Sequence, residues 1–432
     1  MIPTLLAVTV AVMASALLGR RLERWNIGAP VVMVVAGAVV GVTVEGAARV
    51  LLDTVIVERV AELILAVLLF VDAIEIRGGR LWGRSPGLAA RMLLVAMPLS
   101  ILAALGTAEF LFPELAFPVL LVLACVVMPI DFAPNEKVLR DRRLPTRLRT
   151  MLNVEGGYND GLVAPVFVFA LALAGGNTPG SQNNGPTDAL STALPHAVIA
   201  IVIGLLLGTL LGGALEFATA HGLTTDRSRR IVVLLAPVAA YAASLATNGN
   251  GFVAAFVCGI AFRYVHRVQI AHRLRSGTND KAETPDNESR ATGGAAVSAM
   301  TREFTLVEDV AAVLAAAMWF VVGIATVTLA LIINLPILIF CALALTVLRI
   351  IPVLLALLGT DLTCRERLLA GLLGPRGTAT IVLGLLAFNG LPDQGPADTI
   401  LMITMTCVIG SVLLHGPGTS TAVTHLNLSR VK

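Results

Sequence analysis

The chain has 432 residues, of which 56% are apolar and only 14% charged; the net charge is +3 and the mean hydropathy +0.86. Soluble domains carry about 25% charged residues, so a water-soluble enzyme with this balance would expose large apolar patches. The apolar content also excludes disorder, and the small net charge speaks against nucleic acid as a partner.

A membrane span needs roughly 20 apolar residues. In chain order about thirteen segments qualify, near 3–19, 28–44, 59–76, 88–107, 117–138, 150–174, 196–217, 229–246, 250–264, 303–330, 336–357, 367–389 and 398–415. The first, second, eighth and ninth are short. Met1-Ile2-Pro3 lacks a basic n-region, so the start reads as a first membrane helix rather than a cleaved signal. The five cysteines (Cys125, Cys258, Cys341, Cys364, Cys407) form no C-x-x-C pair and read as small buried residues. With the N-terminus outside and the C-terminus in the cytoplasm, 27 of the 31 Lys and Arg fall on the inner side. Only Arg49 and Arg59 fall outside, while Arg349 and Arg376 lie within spans. The bias supports this orientation and an odd number of spans. The polar stretches 265–302 and 175–194 read as a mobile cytoplasmic linker and an outer loop.

An ionisable side chain at the bilayer centre costs about 2.5–3.5 kcal/mol and is a functional candidate by default. Here these are Asp72, Asp131, Glu155, Asp160, Arg349 and Arg376, with Asp72 a secondary candidate. In span five, Pro129 and Pro134 cannot donate to the carbonyls of Cys125 and Ile130, which breaks the helix around Asp131. In span twelve, Gly374, Pro375 and Gly377 break the chain around Arg376. Spans five and twelve run in opposite directions. Two interrupted spans in inverted positions point to a secondary transporter. Span six contributes Glu155, Gly156, Asn159 and Asp160. Glu155 needs a cation partner, and Arg349 in span eleven is the obvious one: a structural brace. Gly156 leaves room one turn before Asp160. Asp131 and Asp160 have no dedicated partner, although Arg376 can serve. Two carboxylates in a low dielectric favour a proton on one of them, and a group that exchanges a proton and binds a small cation is an exchange site. The Ile130 backbone carbonyl is available as a further ligand.

At these residues the sequence resembles the NhaP/NHE-type monovalent cation:proton antiporters. The similar stretches are Pro129-Ile130-Asp131; Arg143-Leu144-Pro145-Thr146-Arg147-Leu148-Arg149; and Glu155-Gly156-Gly157-Tyr158-Asn159-Asp160-Gly161. Others are Gly374-Pro375-Arg376-Gly377, Ser411-Val412-Leu413-Leu414-His415-Gly416, and Asn250-Gly251-Phe252 through Gly259. The resemblance implies an all-α polytopic membrane protein of NhaA-like antiporter fold, with inverted repeats and two broken crossing helices in spans five and twelve. It implies a homodimer with dimerisation helices at 1–87 and core helices four to six with an outer loop at 88–195. Helices seven to nine, on the linker and dimerisation side, occupy 196–264, the mobile cytoplasmic loop 265–302, helix ten 303–335, core helices eleven to thirteen 336–418, and a cytoplasmic tail 419–432. It also implies a monovalent-cation and proton site at Asp131 and Asp160, a Glu155–Arg349 brace, no cofactor and no enzymatic activity, in the plasma membrane. The cation is Na⁺ or Li⁺, with K⁺ as a further candidate. The family's Thr and Ser stand here as Ile130 and Gly156, which removes two hydroxyl ligands and predicts weak Na⁺ affinity. Electrogenic relatives carry a second Asp where Asn159 stands, so exchange is expected to be electroneutral.

Two other functions compete. Two acids on adjacent spans suit an intramembrane aspartyl protease, but neither G-x-G-D nor P-A-L occurs and the spans are too many. The losses at Ile130 and Gly156 are also compatible with a transporter-derived sensor that no longer transports.

Overall fold

The computed structural model describes residues 2–24, 28–44, 55–75, 85–132, 144–175, 186–279 and 288–425. Within them the chain forms fourteen helices and no strand. They are α1 (Ile2–Arg24), α2 (Ala29–Thr43), α3 (Val55–Glu75), α4 (Pro86–Leu111), α5 (Phe117–Val127), α6 (Thr146–Leu173) and α7 (Pro186–Ala220). Then follow α8 (Asp226–Ala246), α9 (Gly251–Asn279), α10 (Glu288–Thr328), α11 (Leu335–Ala356), α12 (Cys364–Leu372), α13 (Thr378–Gly390) and α14 (Gln394–His425). Nine of these are long and apolar enough to cross a membrane, and α2, α5 and α13 are shorter apolar helices. A helix stands at each of the thirteen expected positions, in order, with span twelve as the pair α12 and α13; span five is helical only to Val127, and its residues 133–138 lie outside the described residues.

Irregularities follow from local chemistry. Pro98 cannot donate to the carbonyl of Leu94, and the turn before it, Met92–Ala96, widens to a π-helix. In α11 the helix is interrupted at Thr346 (φ −127°, ψ −91°). α12 opens with a capping box, Thr363 accepting from the Glu366 N–H while the Glu366 carboxylate accepts from the Thr363 N–H. Helix α9 reaches Asn279 and α10 starts at Glu288, so helix occupies both ends of the 265–302 stretch; residues 280–287 and Pro134 lie outside the described residues. Cys364 corrects one expectation: it is exposed, because it occupies the first turn of α12 after the Thr363 cap, while the other four cysteines are buried.

Two compact units are distinguished. The first comprises 1–65, 76–193 and 313–432, the second 66–75 and 194–312. In the first, α2 and α10 approach so closely that a Cβ on Gly37 or Gly323 would overlap the facing backbone of Phe320 or Val34. Around the α5 and α12 ends an apolar cluster forms from Met92, Ile130, Phe132, Leu148, Val353 and Leu369, all nearly inaccessible.

In the second unit, α7 and α9 pack through Gly204, Gly208 and Gly212, spaced one turn apart. A Cβ on Gly204 would stand 2.6 Å from the Ala254 carbonyl oxygen, and one on Gly208 2.5 Å from that of Cys258. Small residues permit this approach, which dispersion then stabilises in a bilayer. Gly208→Ala is therefore expected to lose about 1–3 kcal/mol by overpacking, read as a lower melting temperature in detergent. An unchanged melting temperature would contradict the close approach. A polar knot ties one end of the same unit: His266 Nδ1 lies 2.6 Å from Glu216 Oε1, His266 Nε2 lies 3.5 Å from Glu303 Oε2, and Arg229 Nη1 lies 3.1 Å from Glu303 Oε1.

Candidate functional site

Helix α5 ends at Val127, two residues before Pro129, whose missing N–H cannot extend the ladder. The chain runs on without helix through Phe132. There it meets the break between α12 and α13. The Asp131 N–H donates to the Pro375 carbonyl (2.9 Å), and the Asp131 carboxylate accepts from the Thr378 N–H (2.8 Å). Asp131 thus caps the N-terminal end of α13, where the helix dipole favours a negative charge. Gly377 makes the contact possible, since any Cβ there would overlap the Asp131 carboxylate.

Helix α6 faces this crossing. Asn159 Nδ2 donates to the Ile130 carbonyl at 2.6 Å, which occupies one of the two lone pairs of that oxygen. The Asp160 N–H donates to Asn159 Oδ1 (2.6 Å). Asp160 is 3% exposed, and neither of its carboxylate oxygens has a hydrogen-bond partner among the described residues. The charges of Asp131 and Arg376 act on it. A buried carboxylate without donors is costly, which marks this position as a place built for something other than stability. The space beside Gly156 is not open as expected. The Phe132 ring fills it, with Cδ2 2.9 Å from where a Cβ on Gly156 would lie. Gly156→Ser must displace that ring and is expected to lose about 1–3 kcal/mol. Pairing it with Phe132→Leu should restore most of the loss in thermal melting. Equal stability of Gly156→Ser and the parent would place Phe132 elsewhere.

Glu155 and Arg349 are both buried and make a two-point contact, Nη1 to Oε1 at 2.8 Å and Nη2 to Oε2 at 3.1 Å. Arg349 Nη2 also lies within reach of the carbonyls of Ala370 (3.3 Å) and Leu373 (3.4 Å) at the end of α12. Its side chain passes over Gly374, where a Cβ would overlap it. Arg376 is fully buried. Carbonyl oxygens hold its guanidinium, Gly374 at 3.2 Å and Ala344 at 3.2 Å, the latter just before the interruption of α11. Its own N–H donates to Ser411 Oγ (2.7 Å).

Asp131, Glu155, Asn159, Asp160, Arg349 and Arg376 therefore share one unit, and Gly156 and Ile130 stand among them. Asp72, the secondary candidate, is half-buried on the part of α3 that lies in the second unit. Sequence reasoning missed Phe132, Thr378 and the contacts of Ser411 and His415. The signal available for the last two was their spacing of four, one helix face, in a span opposite the G-P-R-G break.

The family model described as "Sodium/hydrogen exchanger, transmembrane" matches residues 7–425. A Na⁺/H⁺ antiporter of Schizosaccharomyces pombe is 29% identical over 119 residues, which is 27% of this chain and 25% of that protein. The match thus spans only about a quarter of that relative's length. Among solved structures, the sodium proton antiporter MjNhaP1 from Methanocaldococcus jannaschii at pH 8 aligns with a TM-score of 0.70 at 18% identity, covering 99% of this chain and 100% of the other. An electron-microscopy structure of MjNhaP1 aligns with a TM-score of 0.68 at 17% identity, covering 100% and 99%. At these identities the structural likeness establishes the antiporter fold. With a family match that runs through nearly the whole chain, this multi-pass membrane protein belongs to the sodium/hydrogen exchanger family, a family of transporters rather than enzymes.

Proposed function

We propose that the protein exchanges one monovalent cation for one proton across the membrane by alternating access. Asp160 alternates between proton and cation, and Asp131 and the second lone pair of the Ile130 carbonyl complete the ion's surroundings. The observation that carries this reading is the buried Asp160 carboxylate, with both oxygens unpartnered among the described residues, beside a second acid and a break in two crossing segments. Charge balance supports the ratio. Glu155 and Asp131 offset Arg349 and Arg376, so the group is neutral when Asp160 carries a proton. When Asp160 ionises, one negative charge is left, and one monovalent cation restores neutrality. Asn159 adds no further titrating group. The cation is Na⁺ or Li⁺, with K⁺ a further candidate, since the hydroxyls that would favour a small hard cation are absent at Ile130 and Gly156.

The protein is further proposed to work as a homodimer in the plasma membrane, N-terminus outside and C-terminus in the cytoplasm, as the distribution of Lys and Arg suggests. Its core is assigned to 88–195 and 336–418, its dimerisation helices to 1–87, and the linker and dimerisation-side helices to 196–264. A pH-gradient assay in inverted vesicles, with Na⁺, Li⁺ and K⁺ added in turn, tests the function. Exchange predicts that at least one cation dissipates the gradient. No response from correctly folded protein would favour a sensor that no longer transports.

A further inference from the structure

We propose that Ser411 and His415, on α14, are positioning residues for ion exchange: they hold both edges of the break between α12 and α13 and so fix the backbone groups that orient Asp131. The inference rests on the exchange reading above for its functional consequence, though not for its geometry.

The two side chains lie one turn apart on α14 and both are buried. His415 Nε2 lies 3.1 Å from the Leu372 carbonyl oxygen. In the neutral tautomer with the proton on Nε2, the ring donates to this carbonyl. In the neutral ring Nδ1 is then an acceptor, and it lies 3.2 Å from Ser411 Oγ, which can donate to it. Nδ1 also lies 3.1 Å from the Ser411 carbonyl, an acceptor that this tautomer does not use. Ser411 Oγ in turn accepts the Arg376 N–H at 2.7 Å. One directed chain results, from the Arg376 N–H to the Ser411 hydroxyl, from that hydroxyl to His415 Nδ1, and from His415 Nε2–H to the Leu372 carbonyl.

Its two ends are the two edges of the break. Leu372 is the last residue of α12, and Arg376 precedes Gly377, the N-cap of α13. Between them stands Pro375, whose carbonyl accepts the Asp131 N–H, and just beyond stands Thr378, whose N–H the Asp131 carboxylate accepts. An unwound segment has no ladder of its own to fix these groups. The pair on α14 supplies the missing anchors, so a rigid helix sets where the Asp131 carboxylate points.

The test uses the full chain in proteoliposomes with Na⁺ and Li⁺ as probes, together with amide hydrogen exchange on the same preparations. Ser411→Ala leaves the buried Arg376 N–H without an acceptor, and His415→Ala frees the Leu372 carbonyl. Each is expected to raise the apparent KM for the cation about ten-fold, the scale of one unsatisfied buried group, with the saturated rate much less affected. Exchange of amides between Leu372 and Thr380 should accelerate even without added cation, while amides in α7 and α9 keep the parent rate. Ser411→Thr retains the hydroxyl and should restore both readouts. A parent-like KM in both alanine variants would overturn the proposal. So would acceleration spread over the whole chain, or a Ser411→Thr variant as impaired as Ser411→Ala. If the parent itself shows no cation-driven proton flux, the exchange reading falls, and local acceleration at 372–380 still decides whether the pair anchors the break.

Discussion

Replacing Asp160 by Asn should abolish cation-driven proton movement while leaving the fold intact. Asn keeps the size of the side chain and removes the charge and the exchangeable proton. No hydrogen bond to the Asp160 carboxylate is lost, because neither oxygen has a partner among the described residues. A neutral amide also costs less to bury than an ionised carboxylate. The expected result is therefore asymmetric: flux at the level of protein-free vesicles, with a melting temperature at or above that of the parent. Flux at the parent rate would remove Asp160 from the exchange site. A collapsed melting temperature would mean that the carboxylate is a structural group.

The second large effect concerns Glu155 and Arg349. Removing one member of a buried ion pair leaves the other uncompensated and costs roughly 3–5 kcal/mol. Arg349→Ala should be the worse of the two, because Arg349 also lies against the carbonyls of Ala370 and Leu373 at the edge of the break. Glu155→Ala leaves a cation buried beside Gly374. The double variant should cost less than the sum of the singles, as expected for groups in contact. Strict additivity in thermal or chemical unfolding would mean that the pair does not couple α6 to α11. Because this pair offsets itself in charge, its loss should act on stability first and on the exchange ratio little.

Much of this arrangement is legible in the amino acids for a physical reason. Apolar runs long enough for a bilayer are hard to mistake, and charged residues inside them are so few that Glu155 and Arg349 nearly select each other. Pro129 and Pro375 announce the two breaks because each removes a donor from a helix. Other features carry no such mark. The interruption of α11 at Thr346 has neither Gly nor Pro at it, yet it lies next to Ala344, whose carbonyl serves Arg376. The path of the chain after Val127 has no periodicity, so nothing shows in advance that Phe132 lies over Gly156 or that Asn159 reaches the Ile130 carbonyl. Helices α9 and α10 outrun their apolar stretches because hydropathy marks the part suited to the bilayer, not the end of the helix. Cys364 reads as buried together with the other four cysteines, whereas the helix cap before it sets its exposure.

The exchange ratio follows from the same charges. Two anions and two cations surround an Asp160 that binds either a proton or a cation, so the group's net charge is the same in both loaded states. Voltage should then have no hold on the equilibrium. A cycle that moved one net charge would be biased by about 2.3 kcal/mol per 100 mV. The measurement is the cation–proton equilibrium point in proteoliposomes, with Na⁺ or Li⁺ as substrate and the membrane potential set by a K⁺ ionophore. One-for-one exchange at Asp160 predicts the same equilibrium point at every imposed potential. A point that moves with voltage would contradict both the charge balance and the neutral role given to Asn159.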